Sequence, residues 1–483
     1  MNLSKWWPAL SGVLVSGICW YAAFDLSYHA WWALWLAPLP ILYLSVRASS
    51  GVQAFVLAFA AYLIGRLSWW GYLHSVLPLP LVLVFTLFFP LAFGLIVLAV
   101  RRMVAVAPPA VAVFAYPVLW TAFEYLQFLF TRDGTIGSIA YTQCDFLPVV
   151  QVAAVAGVLG VSFVISYVPS VLALSVYYHS QGKKVRGLVF PAIIVVAGVF
   201  LYGGLRLSEP GWSSRDEVTV GMAAISRDAY GNVYDPAPRV EIPIANHYLQ
   251  EVRVLAGQGV RLVLLPEKGI PVSDSAEAII TGLFTDEARR AGITIIAGVT
   301  RIYKDHPECQ AWVISPEGKL LLNYRKVNLF EGEVFDGFKA GKEPGFFQQG
   351  GISNGVAICK DLDYDNFIRR YGRQGASILY VPAWDFNVDG WWHCRIAMMR
   401  AVENGYSLVR NAQEGRLTIS DDRGRVTAEA SCEGAKHAAL TGRVGASASR
   451  TVYSRWGNWW GWVNLVAAIC FLGMMIGRKK RTY

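Results

Sequence analysis

Long apolar segments separated by short polar connections dominate the first 207 residues of this 483-residue chain. A helix needs about 20 apolar residues to cross the hydrocarbon core of a bilayer. Such segments recur near residues 8–24, 31–47, 52–72, 78–100, 108–130, 147–177, 188–205 and 459–476. The pattern predicts a multi-pass bundle of eight membrane helices, in which Pro38, Pro40 and Pro169 interrupt the second and sixth.

From about residue 216 the pattern changes to short β-rich runs that alternate with helical stretches. Several runs are apolar throughout, as expected of strands buried on both faces. The predicted strands are VTVGMAAI, VRLVLLPE, ITIIAGVT, QAWVISP, KLLLNYRK, GVAICKD, ASILYVP and YSLVRNA, and the predicted helices are 244–257, 276–291, 363–374 and 391–404. This order predicts a layered α/β sandwich. The chain is thus divided into a membrane region (1–207), an α/β domain (208–455) and a last membrane helix with a basic tail (456–483).

Composition and charge agree with this division. Charged residues make up 16% of the chain, against about 25% in an ordinary soluble protein.

Two ionisable residues fall inside predicted membrane helices, Arg66 in the third and Glu124 in the fifth. They form either a polar feature beneath an active site or a structural Arg–Glu pair. The pair is the favoured interpretation, because charges inside a membrane are commonly paired with each other.

Basic residues cluster on one side of the predicted membrane. That side holds Lys5, Arg47, Arg101, Arg102, Lys183, Lys184, Arg186, Arg478, Lys479, Lys480 and Arg481, whereas the opposite short loops hold little besides Arg132. The positive-inside rule then places both termini in the cytoplasm and residues 208–455 outside it. These basic residues outnumber the formal net charge of +9. They are therefore orientation signals, and nucleic-acid binding is not expected.

Three predicted strands end in residues that bear chemistry, Glu267, Lys326 and Cys359. A thiolate is a nucleophile, a carboxylate can take the thiol proton and return it to a leaving group, and an ammonium can stabilise an oxyanion. A backbone N–H such as that of Lys360 is a second oxyanion donor. Each residue also has an ordinary alternative: an inert core cysteine, a carboxylate capping a turn and a lysine in a solvated loop. The seven cysteines show no paired spacing, so neither a disulfide framework nor a metal site is predicted.

The segments LLPEKG, YRKVNLF and GVAICKD resemble the three motifs of the nitrilase superfamily, which carry its Glu, Lys and Cys in that chain order. The segment HCRIAMMRAVENGYSLVRNAQEG resembles the helix and strand that follow the nucleophile in that superfamily. The resemblance implies an αββα sandwich with Glu267, Lys326 and Cys359 as its catalytic triad.

Segments of the membrane region narrow this resemblance. PVLWTAFEYLQFLFT, YTQCDFLPVVQVAAVAGVLGVSFVIS and TVYSRWGNWWGW resemble parts of the apolipoprotein N-acyltransferase family. That resemblance implies a monomeric enzyme of the bacterial cytoplasmic (inner) membrane, with a periplasmic catalytic domain and no cofactor or metal. Cys359 would take an acyl chain from a membrane phospholipid as a thioester. The chain would then pass to the α-amine of the S-diacylglyceryl-cysteine of a diacylglyceryl-prolipoprotein.

The family also places a second glutamate shortly after the lysine. Glu333 matches best, and Glu331 is the competing assignment. Lys360 follows the nucleophile where the family has tyrosine, so it either lowers the pKa of the thiol or points away. Gln127 stands where an arginine is usual, and residues 225–232 lack the usual Gln-Asn motif. These departures leave the acceptor open.

Two other functions compete with acyl transfer. A membrane-tethered amidase that hydrolyses an amide or ester would use the same triad, with water as acceptor. A transferase has to protect its thioester from water until the amine arrives. A membrane scaffold without catalysis would have no need of the Glu–Lys–Cys set.

Overall fold

The computed structural model describes residues 7–26, 30–212, 217–226, 238–447 and 449–477. It divides into two compact units, one formed by Met1–Ser208 with Asn458–Tyr483 and the other by Glu209–Gly457. Lys5, the basic tail at 478–481 and residues 227–232 of the departing segment lie outside the described residues.

The first unit is helical. Helices α1–α4 precede a long helix α5, and α7, α9 and α10 follow it with short helices between them. In chain order they are α1 (Trp7–Ala23), α2 (Pro38–Arg47), α3 (Gly51–Arg66), α4 (Trp70–Val76), α5 (Leu79–Val106), α6 (Pro109–Ala112), α7 (Ala115–Phe130), α8 (Leu147–Val150), α9 (Ala153–Ser180) and α10 (Arg186–Ser208).

Six helical segments in the described part of the chain are long and apolar enough to cross a membrane. These are Gly51–Val76, Leu79–Val106, Pro109–Phe130, Ala153–Ser180, Arg186–Ser208 and Trp459–Gly477. The multi-pass helical character is thus confirmed. The predicted count of eight is not reached by length and composition, because α1 has 17 residues and the predicted second helix is divided. A short 3-10 turn at Trp31–Trp35 precedes α2, which starts at Pro38 because proline is favoured in the first turn of a helix. Pro169, in contrast, lies inside α9 and does not end it.

Arg66 and Glu124 are both buried, but they do not form the predicted ion pair. Glu124 accepts hydrogen bonds from the indole of Trp120 (3.1 Å), the hydroxyl of Ser162 (2.6 Å) and the backbone N–H of Ile139 (2.8 Å). The guanidinium of Arg66 instead lies over the rings of Trp69 (4.5 Å) and Phe89 (4.8 Å). The favoured interpretation was wrong because each group finds separate partners: hydrogen-bond donors for the carboxylate and aromatic faces for the cation.

The second unit contains two β-sheets. The first sheet has the order β13-β1-β2-β4-β5-β6, with β3 pairing β4, and the second has the order β12-β11-β10-β9-β8-β7. Their strands are β1 (Glu217–Ile225), β2 (Leu262–Leu264), β3 (Ile270–Ser273), β4 (Thr294–Ile302), β5 (Pro307–Ile314), β6 (Leu320–Arg325), β7 (Gly345–Gln349), β8 (Ile352–Val356), β9 (Ile378–Trp384), β10 (Ser407–Gln413), β11 (Arg416–Ser420), β12 (Val426–Ser431) and β13 (His437–Gly445).

Helices α11 (Pro238–Gly257) and α12 (Glu277–Ala291) cover the outer face of the first sheet, and α14 (Asp365–Arg373) and α15 (Gly390–Asn404) cover that of the second. The unit also has two short helices, α13 (Glu331–Phe335) and α16 (Val452–Trp456). One buried core lies between the first sheet and α11 and α12. A second lies between the sheets, and a third between the second sheet and α14 and α15. This is the predicted αββα sandwich.

Each predicted strand and helix of this unit corresponds to an observed one, although β2 is reduced to Leu262–Leu264. Strands β3, β7, β11, β12 and β13 were not predicted. The chain then returns to the first unit with α17 (Trp459–Gly477).

Candidate active site

The three predicted catalytic residues all follow strands of the sandwich. Glu267 comes shortly after β2, and Lys326 comes directly after β6. Strand β8 ends at Val356, so Cys359 does not close the strand as predicted but begins a 3-10 turn, Cys359–Asp363. Its φ of 42° lies in the left-handed region, where a non-glycine residue carries strain that commonly marks a functional site.

Lys326 is the centre of a buried ionic network. Its Nζ lies 2.7 Å from Oε1 of Glu267, and 3.0 Å from Oε1 and 2.9 Å from Oε2 of Glu333. All three side chains are at most 3% exposed. Although burial by itself would lower the pKa of Lys326, Glu267 and Glu333 raise it well above its usual value. The lysine therefore stays an ammonium between two carboxylates.

The structure brings Glu333 to this network and leaves Glu331 out of it. Glu333 lies in the first turn of α13, and its Oε2 accepts a hydrogen bond from the backbone N–H of Phe330 (2.8 Å). Burial alone would raise the pKa of Glu333, but Lys326 and then Lys268 lower it to about 2. Glu331, on another face of the same turn, is only half-buried.

The thiol of Cys359 donates to the backbone carbonyl oxygen of Trp384 (3.4 Å). Cys359 is half-buried as a residue, but desolvation of its sulfur raises the pKa of the thiol well above its usual value. The Glu267 carboxylate raises that pKa further, whereas Lys326 and Arg410 lower it. The resting sulfur is therefore a neutral thiol, which needs a base to become a nucleophile.

The ammonium group of Lys360 lies near Asp363 and Phe330. Its Nζ is 3.5 Å from Oδ2 of Asp363 and 5.9 Å from the ring centre of Phe330. Its effect on the pKa of the thiol stays a prediction.

Asp361 is a site residue that the sequence reasoning did not single out. Its carboxylate accepts hydrogen bonds from the backbone N–H groups of Ile358 (2.9 Å) and Asn328 (2.8 Å) and from the hydroxyl of Tyr324 (2.6 Å). It thus ties the turn that carries Cys359 to the loop that follows Lys326. The sequence feature that could have identified Asp361 is its place at the end of the GVAICKD segment, two residues after Cys359.

Lys268 is a second unpredicted residue and lies next to Glu267 in the chain. Its Nζ is 2.5 Å from Oε1 of Glu333, and its side chain is 7% exposed. The site therefore contains two buried ammonium groups and two buried carboxylates.

The same cluster is the one place among the described residues where three potential metal ligands converge. Ligand atoms of Glu267, Cys309 and Glu333 lie within 4.8 Å of one another. The Lys326 and Lys268 ammonium groups already contact these carboxylates, and two positive charges at this distance oppose a third cation. The residues do not fit a metal ion.

Two known families match successive parts of the chain. The carbon-nitrogen hydrolase family matches residues 238–466, and the apolipoprotein N-acyltransferase N-terminal domain matches residues 16–171. Fold and site thus define the second unit as a carbon-nitrogen hydrolase domain. The chain belongs to the carbon-nitrogen hydrolase superfamily and, through its N-terminal domain, to the apolipoprotein N-acyltransferase family within it.

Individual relatives agree with both matches. An apolipoprotein N-acyltransferase of Geobacter metallireducens is 23% identical over 76% of this chain and 74% of its own length. One from Pseudomonas putida is 23% identical over 99% of this chain and 98% of its own length. A deaminated glutathione amidase of Synechocystis is 31% identical over 33% of this chain and 67% of its own length. The predicted family, the acyltransferase class and the membrane character are confirmed.

Proposed function

We propose that this protein transfers a fatty acyl chain from a membrane phospholipid to the α-amine of the S-diacylglyceryl-cysteine of a diacylglyceryl-prolipoprotein. The observation that carries the proposal is the buried Glu267–Lys326–Glu333 network near the thiol of Cys359, in a chain that also has the N-terminal domain of this family. A membrane domain suits the reaction, because lipids with acyl chains do not leave a bilayer readily.

In the first half-reaction, Glu267 takes the proton of the Cys359 thiol and Sγ attacks the ester carbonyl carbon of the phospholipid. The oxyanion is stabilised by the Lys326 ammonium and the backbone N–H of Lys360. The carbon–oxygen ester bond then breaks, and Glu267 returns the proton to the departing lysophospholipid oxygen. The acyl chain remains on Cys359 as a thioester.

In the second half-reaction, the α-amine of the lipoprotein cysteine attacks the thioester carbonyl carbon. Glu267 accepts a proton from the amine nitrogen, and the same donors stabilise the second oxyanion. The carbon–sulfur bond breaks as the amide forms, and the thiolate of Cys359 regains its proton from Glu267. No cofactor or metal is needed for either step.

The first experiment looks for the thioester. Purified full-length protein is incubated with phospholipid in mixed micelles, and the peptide containing Cys359 is examined by mass spectrometry. We expect the added mass of one fatty acyl chain, absent from Cys359→Ala. A diacylglyceryl-cysteine peptide added afterwards should remove the adduct and gain the same mass at its amine.

The amidase is the second candidate, since the catalytic domain is also similar to the amidase of Synechocystis. If no adduct accumulates and the protein instead releases free fatty acid or hydrolyses small amides, water is the acceptor and the acyltransferase proposal fails.

We also propose that the protein is a monomer of the bacterial cytoplasmic (inner) membrane, with both termini cytoplasmic and the catalytic unit extracytoplasmic. The basic residues Arg101 and Arg102 near the end of α5, and Lys183 and Lys184 between α9 and α10, support this orientation. An impermeant maleimide should label Asp286→Cys, at an exposed position, in intact spheroplasts. Lys184→Cys should be labelled only after the membrane is permeabilised, and the opposite labelling would invert the orientation.

A further inference from the structure

Lys268 is a buried lysine that the proposed chemistry does not use. Its backbone has a φ of 52°, in the left-handed region, and its ammonium group lies 4.9 Å from the ring centre of Phe338 and 5.4 Å from that of Trp384. Burying a lysine is costly unless its charge is compensated. Here the compensation comes from Glu333 at 2.5 Å and from the two aromatic faces.

The position of Lys268 connects it to each part of the site. It follows Glu267 directly in the chain and shares Oε1 of Glu333 with Lys326. The ring of Trp384, under its ammonium group, belongs to the residue whose carbonyl oxygen accepts the hydrogen bond of the Cys359 thiol. The contacts of Lys268 are with Glu333, Phe338 and Trp384, so it acts on the thiol through these neighbours.

Charge balance explains what the second ammonium contributes. Glu267, Lys326 and Glu333 alone would carry one net negative charge in a buried site. A negative charge beside a buried thiol disfavours the thiolate, as Glu267 already does for Cys359. With Lys268 present, the two carboxylates and the two ammonium groups are neutral together.

We propose that Lys268 is a positioning residue of this site, whose ammonium group holds Glu333 as a carboxylate against Lys326 and keeps the surroundings of Cys359 electrically neutral. The role rests on Cys359 being the nucleophile of the proposed function. It predicts that removing the positive charge at position 268 and removing the negative charge at position 333 change the reactivity of Cys359 in opposite directions.

The test is the pH dependence of Cys359 alkylation by iodoacetamide, which reacts with the thiolate. Alkylation of the Cys359 peptide in the full-length protein is followed by mass spectrometry from pH 6 to 10. The charged and titratable groups around the nucleophile and Lys268 are Glu267, Lys326, Glu333, Cys309, Asp385 and Arg410, together with Lys360, Asp361 and Asp363 in the turn that carries Cys359. They stay unchanged in every variant except for the stated substitution.

We expect Lys268→Met to shift the pH dependence of Cys359 alkylation by about one unit towards higher pH. At neutral pH, alkylation should then be about tenfold slower, as one pKa unit implies. Lys268→Arg keeps the charge and should stay within about threefold of the unchanged protein. Glu333→Gln should move the profile downward, and the double variant Lys268→Met/Glu333→Gln should return close to the starting profile.

The proposal is overturned if Lys268→Met leaves the profile in place, if Lys268→Arg shifts it as far as Lys268→Met, or if Glu333→Gln shifts it in the same direction as Lys268→Met. Should Lys268→Met alone not fold, the double variant must still be alkylated more slowly at neutral pH than Glu333→Gln alone. Alkylation requires no lipid substrate. A protein that shows these shifts but forms no acyl adduct would therefore refute acyl transfer and leave the role of Lys268 standing.

Discussion

The Nζ atom of Lys326 lies 2.7 Å from Oε1 of Glu267, although 59 residues separate them in the chain. Both side chains are 2% exposed. Glu267 follows β2 and Lys326 follows β6, and β4 and β5 lie between these two strands of one sheet. The contact forms because the Glu267 side chain reaches across to β5, where Sγ of Cys309 lies 3.4 Å from its Oε1. A base and a cation held together in this way can remove the thiol proton and stabilise the oxyanion that forms next.

Glu267→Gln and Lys326→Met should each lower formation of the Cys359 acyl adduct at least about 100-fold, the usual scale for loss of a general base or an oxyanion partner. Adduct formation is measured by mass spectrometry, with thermal unfolding as the check on folding. Glu331→Gln is the matched control, because Glu331 lies in the same turn as Glu333 but outside the network. Substantial adduct in either of the first two variants would contradict the assigned roles.

Gly298→Ala should displace Glu267. A Cβ at this position would lie 2.0 Å from the carbonyl oxygen of Pro266 and 2.9 Å from Cα of Glu267. We expect a loss of about 1–3 kcal/mol in stability, as for overpacking elsewhere, together with reduced adduct formation. Gly282→Ala is the control, since its Cβ would meet nothing within 4 Å and helical Ala is favoured over Gly. Equal melting temperatures for the two variants would show that the close approach has no consequence.

Asp361→Ala should lower both stability and activity. The substitution leaves the backbone N–H groups of Ile358 and Asn328 and the hydroxyl of Tyr324 without their acceptor, and each unsatisfied buried donor costs about 1–3 kcal/mol. The loop after Lys326 would then no longer be tied to the Cys359 turn. Chemical unfolding and adduct formation measure the two effects. An unchanged adduct yield in the folded variant would mean that this connection does not position the nucleophile.

The His393–Asp389 pair should make stability depend on pH. Their side chains are 3.1 Å apart. Burial by itself would lower the pKa of His393, but Asp389 raises it to about 9, with Asp385 and Asp363 adding to the effect. Because the folded pKa is raised, the contribution is fully present below about pH 6.5 and is lost as the pH rises through about 9.

The scale of this contribution is roughly 3 kcal/mol, from the size of the pKa shift. His393→Gln should therefore melt well below the unchanged protein at pH 6, and the difference should shrink at pH 9.5. A difference that is the same at both values would exclude the charged histidine as its source.

The membrane unit allows a test of the missing Arg66–Glu124 pair. Since the two side chains have separate partners, the destabilisation in Arg66→Met and Glu124→Gln should add within about 0.5 kcal/mol in the double variant. Thermal unfolding of the three variants in detergent gives the interaction free energy between positions 66 and 124. An interaction free energy above about 1 kcal/mol would contradict the separate partners and support the predicted ion pair.

The sequence by itself determined the family and the membrane character of the chain, and it predicted Glu267, Lys326 and Cys359 as a triad. The length of an apolar segment identifies a membrane helix, because every helix that crosses a bilayer needs about the same minimum number of apolar residues. The period of apolar residues marks the strands and helices of the sandwich in a similar way. Glu267, Lys326 and Cys359 stood out because each lies at the end of such a strand and in a recognisable segment.

The tertiary structure alone decided which other groups complete the site. It chose Glu333 over Glu331, placed Lys268 and Asp361 in the network, and separated Arg66 from Glu124. Each of these outcomes depends on contacts between segments far apart in the chain, or on which face of a single turn a side chain occupies. Local pattern carries no information on either, because a carboxylate or an ammonium takes whichever partner the packing of other elements brings within a few ångströms.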